Sequence, residues 1–316
     1  MRAAPINAAH RPVAQHDSLL PTTIPAYLDQ LRAALAGADP ALVQDALYDA
    51  EEYLRSELAE NPGRSEAEVI ASVAGSYGAP AEVADIYRET EVRVQTALRP
   101  PAAPPRRSWW GRFFGVVAEP RTYAALLYML LALATGIFYF TWVVTGVSLS
   151  LGLAVLIVGV PFVILYFGSV RVLSLVEGRL VETMLGERMP RRPLYAARGR
   201  PWLQRIGDMF SDPRTWSTQL YFVLMLPLGI VYFTLVVTLL AFAVGCIGAP
   251  VATAFGEASW FTINDTVVGA GPVWTWPLWI AVGVLTLFAT LHLARGIGHV
   301  HAQLAKHLLV KSSQYA

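Results

Sequence analysis

Residues 122–170, TYAALLYMLLALATGIFYFTWVVTGVSLSLGLAVLIVGVPFVILYFGSV, contain no Asp, Glu, Lys or Arg. A bilayer core about 30 Å thick needs about 20 apolar residues for each helix that crosses it. The stretch is therefore long enough for a helical hairpin. We expect one span near residues 123–144 and a second near 149–173, joined by a short turn at 145–148.

The rest of the chain supports two more spans. A second uncharged run covers residues 215–256, in which we expect a span near 219–242, and a last span is predicted near 277–294. Of all residues, 55% are hydrophobic and 15% are charged, against about 25% charged in an ordinary soluble domain. This composition excludes a disordered chain, and charge-free runs of this length disfavour four buried helices of a soluble core.

Arginine and lysine residues predict the orientation, because the cytoplasmic loops of membrane proteins carry an excess of them. Five Arg residues lie in 99–121, nine lie in 171–214, and Lys306 and Lys311 follow the last span. The loops at 145–149 and 243–276 contain neither residue type. We therefore expect a multi-pass protein of the bacterial inner (plasma) membrane, with both termini and the 171–214 segment in the cytoplasm and no signal peptide in 1–23.

The membrane part contains an internal repeat at a spacing of 93 residues. The matching pairs are EPRTY at 119–123 with DPRTW at 212–216, LY at 127–128 with LY at 220–221, GIFYFT at 136–141 with GIVYFT at 229–234, and VVT at 143–145 with VVT at 236–238. Each copy ends in an amphipathic tail, 171–186 and 295–310, and the tails align at a spacing of 124. We predict two parallel repeats, 119–186 and 212–310.

The tails have two interpretations. They either lie on the inner membrane surface with their apolar faces in the lipid, or they extend the spans into the cytoplasm. In both cases the helical spacing places Glu177 away from the apolar stripe of the first tail.

Residues 24–93 carry 14 acids and five bases, which predicts a small acidic helical domain. Pro25 can start a helix, Asp39-Pro40 forms an N-cap and first-turn pair, and Ser65 with Glu68 is a capping-box candidate. The excess of acids disfavours direct nucleic-acid binding. It favours a basic partner, and the protein's own Arg-rich 171–214 segment is one candidate.

The predicted fold class is all-α, a small soluble helical bundle followed by a four-helix transmembrane domain. The expected divisions are a disordered tail at 1–23, the acidic helical domain at 24–93, a Pro-rich linker at 94–108 and the membrane domain at 109–316.

Residues 27–90 resemble the HAAS signalling domain of bacterial membrane proteins. The resemblance rests on Tyr27-Leu28-x-x-Leu31, on EEYL at 51–54 and on YGAPAEVA at 77–84. Residues 119–310 resemble a sensor domain found before bacterial histidine kinases and in stand-alone membrane proteins. This second resemblance rests on the two Pro-Arg-Thr-aromatic motifs, on PLGI at 227–230 and on RGI at 295–297. Together they imply signalling through a cytoplasmic protein partner, such as a PadR-type transcription regulator or a kinase.

No catalytic, nucleotide-binding or metal-binding motif is found, so we expect no enzymatic activity, no cofactor and no metal. His299 and His301 are two residues apart and face different sides of a helix, which favours interface roles. Cys246 lies in an apolar stretch and is expected to be buried filler. No ionisable residue is expected in the middle of a span, and this argues against a proton-coupled pump.

The loop at 248–276 is the largest extracytoplasmic feature, and its aromatic and polar residues are the candidates for ligand sensing. The alternative is that the aromatic residues anchor the chain at the outer interface. On the opposite side we expect a basic cytoplasmic surface. The sensing candidates are Trp260, Phe261, Asn264, Asp265, Trp274 and Trp276, and the basic surface comprises Arg179, Arg188, Arg191, Arg192, Arg198 and Arg200.

These features favour a non-enzymatic inner-membrane sensor that couples the state of the envelope or its lipids to a cytoplasmic protein through the helical domain. The expected partners are the lipid bilayer and that cytoplasmic protein. Whether the chain forms a homo-oligomer is left open by the sequence. The alternative is a transport or lipid-handling component that partners an ATPase, which the Gly-rich, Pro-kinked spans would suit. A membrane enzyme is disfavoured because no acid–base or nucleophile pair can be assembled.

Overall fold

A computed structural model describes residues 20–98, 109–153, 159–192, 207, 211–255, 262–263, 266–267 and 272–310. The chain divides into two compact units. The first comprises Met1–Gly37 with Asp49–Arg93, and the second comprises Ala38–Tyr48 with Val94–Ala316. The first turns of one helix, residues 40–48, therefore belong to the second unit.

Four helices follow one another in the N-terminal part of the chain: α1 (Ile24–Ala34), α2 (Pro40–Glu60), α3 (Glu66–Ser76) and α4 (Pro80–Leu98). Pro25 and Pro40 lie in first turns as predicted, and the capping box at Ser65 and Glu68 is confirmed. In the first unit, Tyr27 is buried and its hydroxyl donates to the carbonyl of Gly78 at 2.7 Å. Helix α4 continues to Leu98, and thus into the segment predicted as a linker.

The membrane part consists of a short helix α5 (Trp109–Phe114), a 3-10 turn (Gly115–Ala118) and four long helices. The long helices are α6 (Pro120–Leu153), α7 (Gly159–Leu180, continued by a π-helical turn at Val181–Leu185), α8 (Pro213–Ala254) and α9 (Trp276–Leu309). All four are long and apolar enough to cross a membrane. Before α9, the two-residue strands β1 (Thr262–Ile263) and β2 (Thr266–Val267) pair antiparallel. The predicted all-α class with four candidate spans is confirmed.

The turn predicted at residues 145–148 is wrong, because α6 continues without interruption to Leu153. Backbone groups in lipid must form their hydrogen bonds within the segment, so a helix persists through Thr, Gly and Ser. Gly146 serves packing instead, since a side-chain carbon at this position would overlap the ring of Tyr166. The two amphipathic tails extend the helices of α7 and α9, which was the second of their two interpretations.

Helices α6 and α8 make a close reciprocal contact. A side-chain carbon at Gly136 would overlap the carbonyl oxygen of Met225, and one at Gly229 would overlap the carbonyl oxygen of Ala132. The two glycines are 93 residues apart in the sequence, and so are Ala132 and Met225, whose carbonyl oxygens they face. The internal repeat stays a prediction, and this symmetric crossing supports it.

Candidate functional site: a buried tyrosine, glutamate and histidine cluster

Two ionisable side chains are buried where the four long helices meet. Glu177 of α7 has no solvent exposure, and His301 of α9 is 1% exposed. Burial of an ionisable group is costly unless hydrogen bonds satisfy it. Four tyrosines provide those bonds, and we call the six residues the buried cluster: Tyr128, Tyr139, Glu177, Tyr221, Tyr232 and His301.

Two phenols bridge the acid and the imidazole. The hydroxyl of Tyr128 lies 2.6 Å from Oε1 of Glu177 and 2.7 Å from Nε2 of His301. The hydroxyl of Tyr221 lies 2.9 Å and 3.0 Å from the same two atoms. Glu177 and His301 are thus joined through two parallel phenol bridges.

The other two tyrosines complete the cluster on opposite sides. Tyr139 donates to Oε2 of Glu177 at 3.0 Å, and the hydroxyl of Tyr232 lies 3.3 Å from Nδ1 of His301. Every group is satisfied when Glu177 is a carboxylate that accepts three phenol protons and His301 carries its proton on Nε2. A second proton can be placed on Nδ1, and Tyr232 would then change from donor to acceptor. The cluster can therefore hold protons in more than one arrangement.

The cluster relates the two halves of the membrane domain. Tyr128 and Tyr221 are separated by 93 residues, as are Tyr139 and Tyr232, and Glu177 and His301 are separated by the tail spacing of 124. Under the predicted repeat, each half contributes two tyrosines and one ionisable residue at matching positions. The ionisable residue is an acid in the first half and an imidazole in the second.

Sequence reasoning missed this site. Helical spacing predicts Glu177 on the polar side of a tail and His301 in an interface role, whereas both are buried. Glu177 lies in the candidate span Gly159–Leu185, eight residues before its end. The expectation that no Asp, Glu, Lys or Arg lies in the middle of a span stays a prediction. The signal that would have found the pair is the repeat alignment, because it places both residues at one position beside matching tyrosines.

The predicted sensing residues are only partly visible. Trp260, Phe261, Asn264 and Asp265 lie outside the described residues. Trp274 is 79% exposed, and Trp276 begins α9. Their role in ligand sensing stays a prediction.

Several residues of the predicted basic surface bind acidic and polar groups of the second unit. Asp45 accepts hydrogen bonds from the backbone N–H groups of Arg191 and Arg192 at 2.8 and 3.0 Å, and the Arg188 guanidinium lies 3.3 Å from its other oxygen. Burial raises the pKa of Asp45 against the opposing effect of these donors, and burial lowers the pKa of Arg188. Arg179 pairs with Glu182, and Arg198 and Arg200 lie outside the described residues.

A second group of contacts joins the ends of three long helices to the start of α2. The ammonium of Lys306 lies 2.6 Å from Asp39 and 2.6 Å from Glu187. The amide of Gln44 donates to the carbonyl of Arg192 at 2.8 Å and accepts from Arg214 at 2.8 Å. Asp45 meets the expectation that the acidic segment could bind the protein's own Arg-rich 171–214 segment, whereas Asp39 binds Lys306 outside that segment.

A model of the family described as "Putative sensor" matches residues 128–309, which is more than half of the chain. The chain belongs to this family. The match to the sensor family begins at the first tyrosine of the buried cluster and includes all six of its residues. A HAAS model matches residues 26–85, so the predicted fusion of a HAAS domain with a sensor domain is confirmed. No curated protein and no solved structure matches the chain.

Proposed function

We propose that this chain is a non-enzymatic signalling protein of the bacterial inner membrane, with both termini in the cytoplasm. The HAAS and sensor domains and the four apolar helices fit a membrane signalling role. In the proposal, the sensor domain responds to the state of the envelope or its lipids. The HAAS domain passes the change to a cytoplasmic protein, for which a PadR-type regulator or a kinase is the leading class.

The observation that carries the proposal is the short connection between the buried cluster and α2. His301 and Lys306 lie five residues apart on α9, and Lys306 binds Asp39 directly before α2. Asp45 and Gln44, one turn further along α2, are held by the segment after α7 and by the start of α8. Any shift of these three helices at the cluster would therefore displace the first turns of α2, a helix that lies wholly in the region matched by HAAS.

The cluster has the properties of a two-state element. The proton of His301 can lie on Nε2 or on Nδ1, and the hydroxyls around it can donate or accept accordingly, so the hydrogen bonds of the cluster can be rearranged without exposing a charge. A stimulus that changes how the four helices pack would favour one arrangement over the other. Replacement of Glu177 by Gln keeps the shape but removes the charge, and should fix the cluster in one arrangement.

The test compares transcript profiles in cells that lack the chain and are complemented with variants at equal membrane levels. We expect E177Q to leave the profile in a fixed state that no longer follows envelope stress. E182Q, which changes a nearby acid that pairs with Arg179 and Arg191 outside the cluster, should behave as the original chain. Equal behaviour of E177Q and the original chain would contradict the proposal. Movement of ions or lipids by the purified chain in liposomes would favour the transport alternative.

A further inference from the structure

An open cleft lies between α7 and α8. Arg171 and Arg214 line it together with Asp212 and the hydroxyl-bearing residues Thr215 and Thr218. Phe167, Val170 and Leu175 supply its apolar lining. Two arginines and an apolar wall therefore line the cleft, beside the middle of α7 and the start of α8.

The arginine at the matching position in the other half of the domain has an acidic partner, which Arg171 lacks. Arg295 corresponds to Arg171 at the tail spacing of 124, and Glu119 corresponds to Asp212 at the repeat spacing of 93. Arg295 forms an ion pair with Glu119. Arg171 forms no ion pair with any residue that the structure describes, so the arginine–acid pair of one half has no equivalent in the other half, where Asp212 lines the cleft without pairing with Arg171.

The difference has a local cause. Asp212 has one methylene group fewer than Glu119, and its carboxylate accepts a hydrogen bond from the backbone N–H of Arg214 at 3.0 Å as the N-cap of α8. It is therefore held at the helix start. The side chain of Arg214 donates to a neutral acceptor, Oε1 of Gln44. Two positive charges thus share the cleft with one acid.

We propose that the cleft binds the phosphate of an anionic phospholipid headgroup, which takes the place that Glu119 has beside Arg295. Guanidinium groups bind phosphate in bidentate geometry, and basic pockets between membrane helices bind anionic headgroups. A lipid rather than a free anion is favoured because the cleft has apolar walls. The outer faces of its helices also expose apolar side chains, with Val172 at 61% and Leu220 at 53% exposure.

The test measures binding of dioctanoyl phosphatidylglycerol to the purified full chain in detergent by native mass spectrometry. The references are dioctanoyl phosphatidylcholine and inorganic phosphate. We expect the chain to prefer phosphatidylglycerol, R171Q to weaken that binding about fivefold, and inorganic phosphate at equal concentration not to compete. R171K keeps the charge but loses the bidentate fork, so its binding should lie between that of the original chain and that of R171Q.

The matched control is R295Q, which removes the equivalent guanidinium where an internal acid already neutralises it. R295Q should change phosphatidylglycerol binding less than twofold. Equal effects of R171Q and R295Q, equal binding of the two lipids, or full competition by inorganic phosphate would each overturn the proposal. The readout is binding alone, so its failure leaves the signalling proposal standing, and a failed transcript experiment leaves this one standing.

Discussion

Replacement of Tyr139 by Phe tests whether Glu177 is a buried carboxylate. The change removes one hydroxyl and keeps the ring, including its stacking on Phe222 at a centroid distance of 4.4 Å. The matched variant is Tyr232→Phe, which removes the equivalent hydroxyl in the other half. Both tyrosines are largely enclosed, so the two variants differ chiefly in the group that loses its partner.

The structure sets the expected difference in the free energy of unfolding. Among the described residues, Tyr139 alone donates to Oε2 of Glu177, at 3.0 Å. Hydrogen bonds to charged groups contribute about 1.5–3 kcal/mol, so Y139F should cost about 2–3 kcal/mol. Tyr232 lies 3.3 Å from a neutral imidazole nitrogen, and a long neutral bond contributes about 0.5–1 kcal/mol. The difference corresponds to about a tenfold change in the unfolding equilibrium.

The assay is reversible unfolding of the purified chain in mixed micelles by titration with sodium dodecyl sulfate, followed by tryptophan fluorescence. In the E177Q background the cost of Y139F should fall to about 1 kcal/mol, because the hydroxyl then faces a neutral group. Equal costs for Y139F and Y232F, or an unchanged cost of Y139F beside E177Q, would refute an ionised Glu177.

Three further predictions concern packing, capping and pH. Gly229→Ala should destabilise the chain by about 1–3 kcal/mol in the same titration, because its methyl group overlaps the carbonyl of Ala132. Gly168→Ala, where no atom lies within 4 Å, should be neutral or stabilising. Ser65→Ala should cost about 1 kcal/mol, seen as about fivefold faster amide exchange in α3. The hydrogen bonds from Ser65 lower the pKa of Glu68. The stability that ionised Glu68 gives to α3 is therefore present above the ordinary pKa of Glu, and it is lost as the pH falls through the lowered pKa of Glu68. After correction for the intrinsic pH dependence of amide exchange, exchange in α3 should accelerate in acid for the original chain but not for E68Q.

Much of the fold could be predicted because its signals are local. Long charge-free runs identify membrane helices without knowledge of their neighbours, and four such helices are present. The capping box at Ser65 depends on a residue three positions away, and the helix start at Pro40 depends on its immediate neighbours. Each of these signals is complete within one turn or one span.

The buried cluster could not be predicted from helical periodicity, because its signal is distributed over four helices. Periodicity shows that Glu177 lies off an apolar stripe. It does not show that the facing side of another helix is also polar, so solvent and a buried partner give the same pattern. Residues 145–148 show the same limit. Their composition is typical of a turn, but Gly146 lies in a helix and packs against Tyr166.

The correspondence of Glu177 with His301 has a consequence for ancestry. Two identical half-length chains paired about a symmetry axis would place two carboxylates, or two imidazoles, against the same pair of phenols. Like groups in one dry site repel each other when charged. Joining the halves in one polypeptide removes that restriction, because each position can then change alone. A single chain that contains both halves can place an acid opposite a base at the axis. A homodimer of two identical halves cannot.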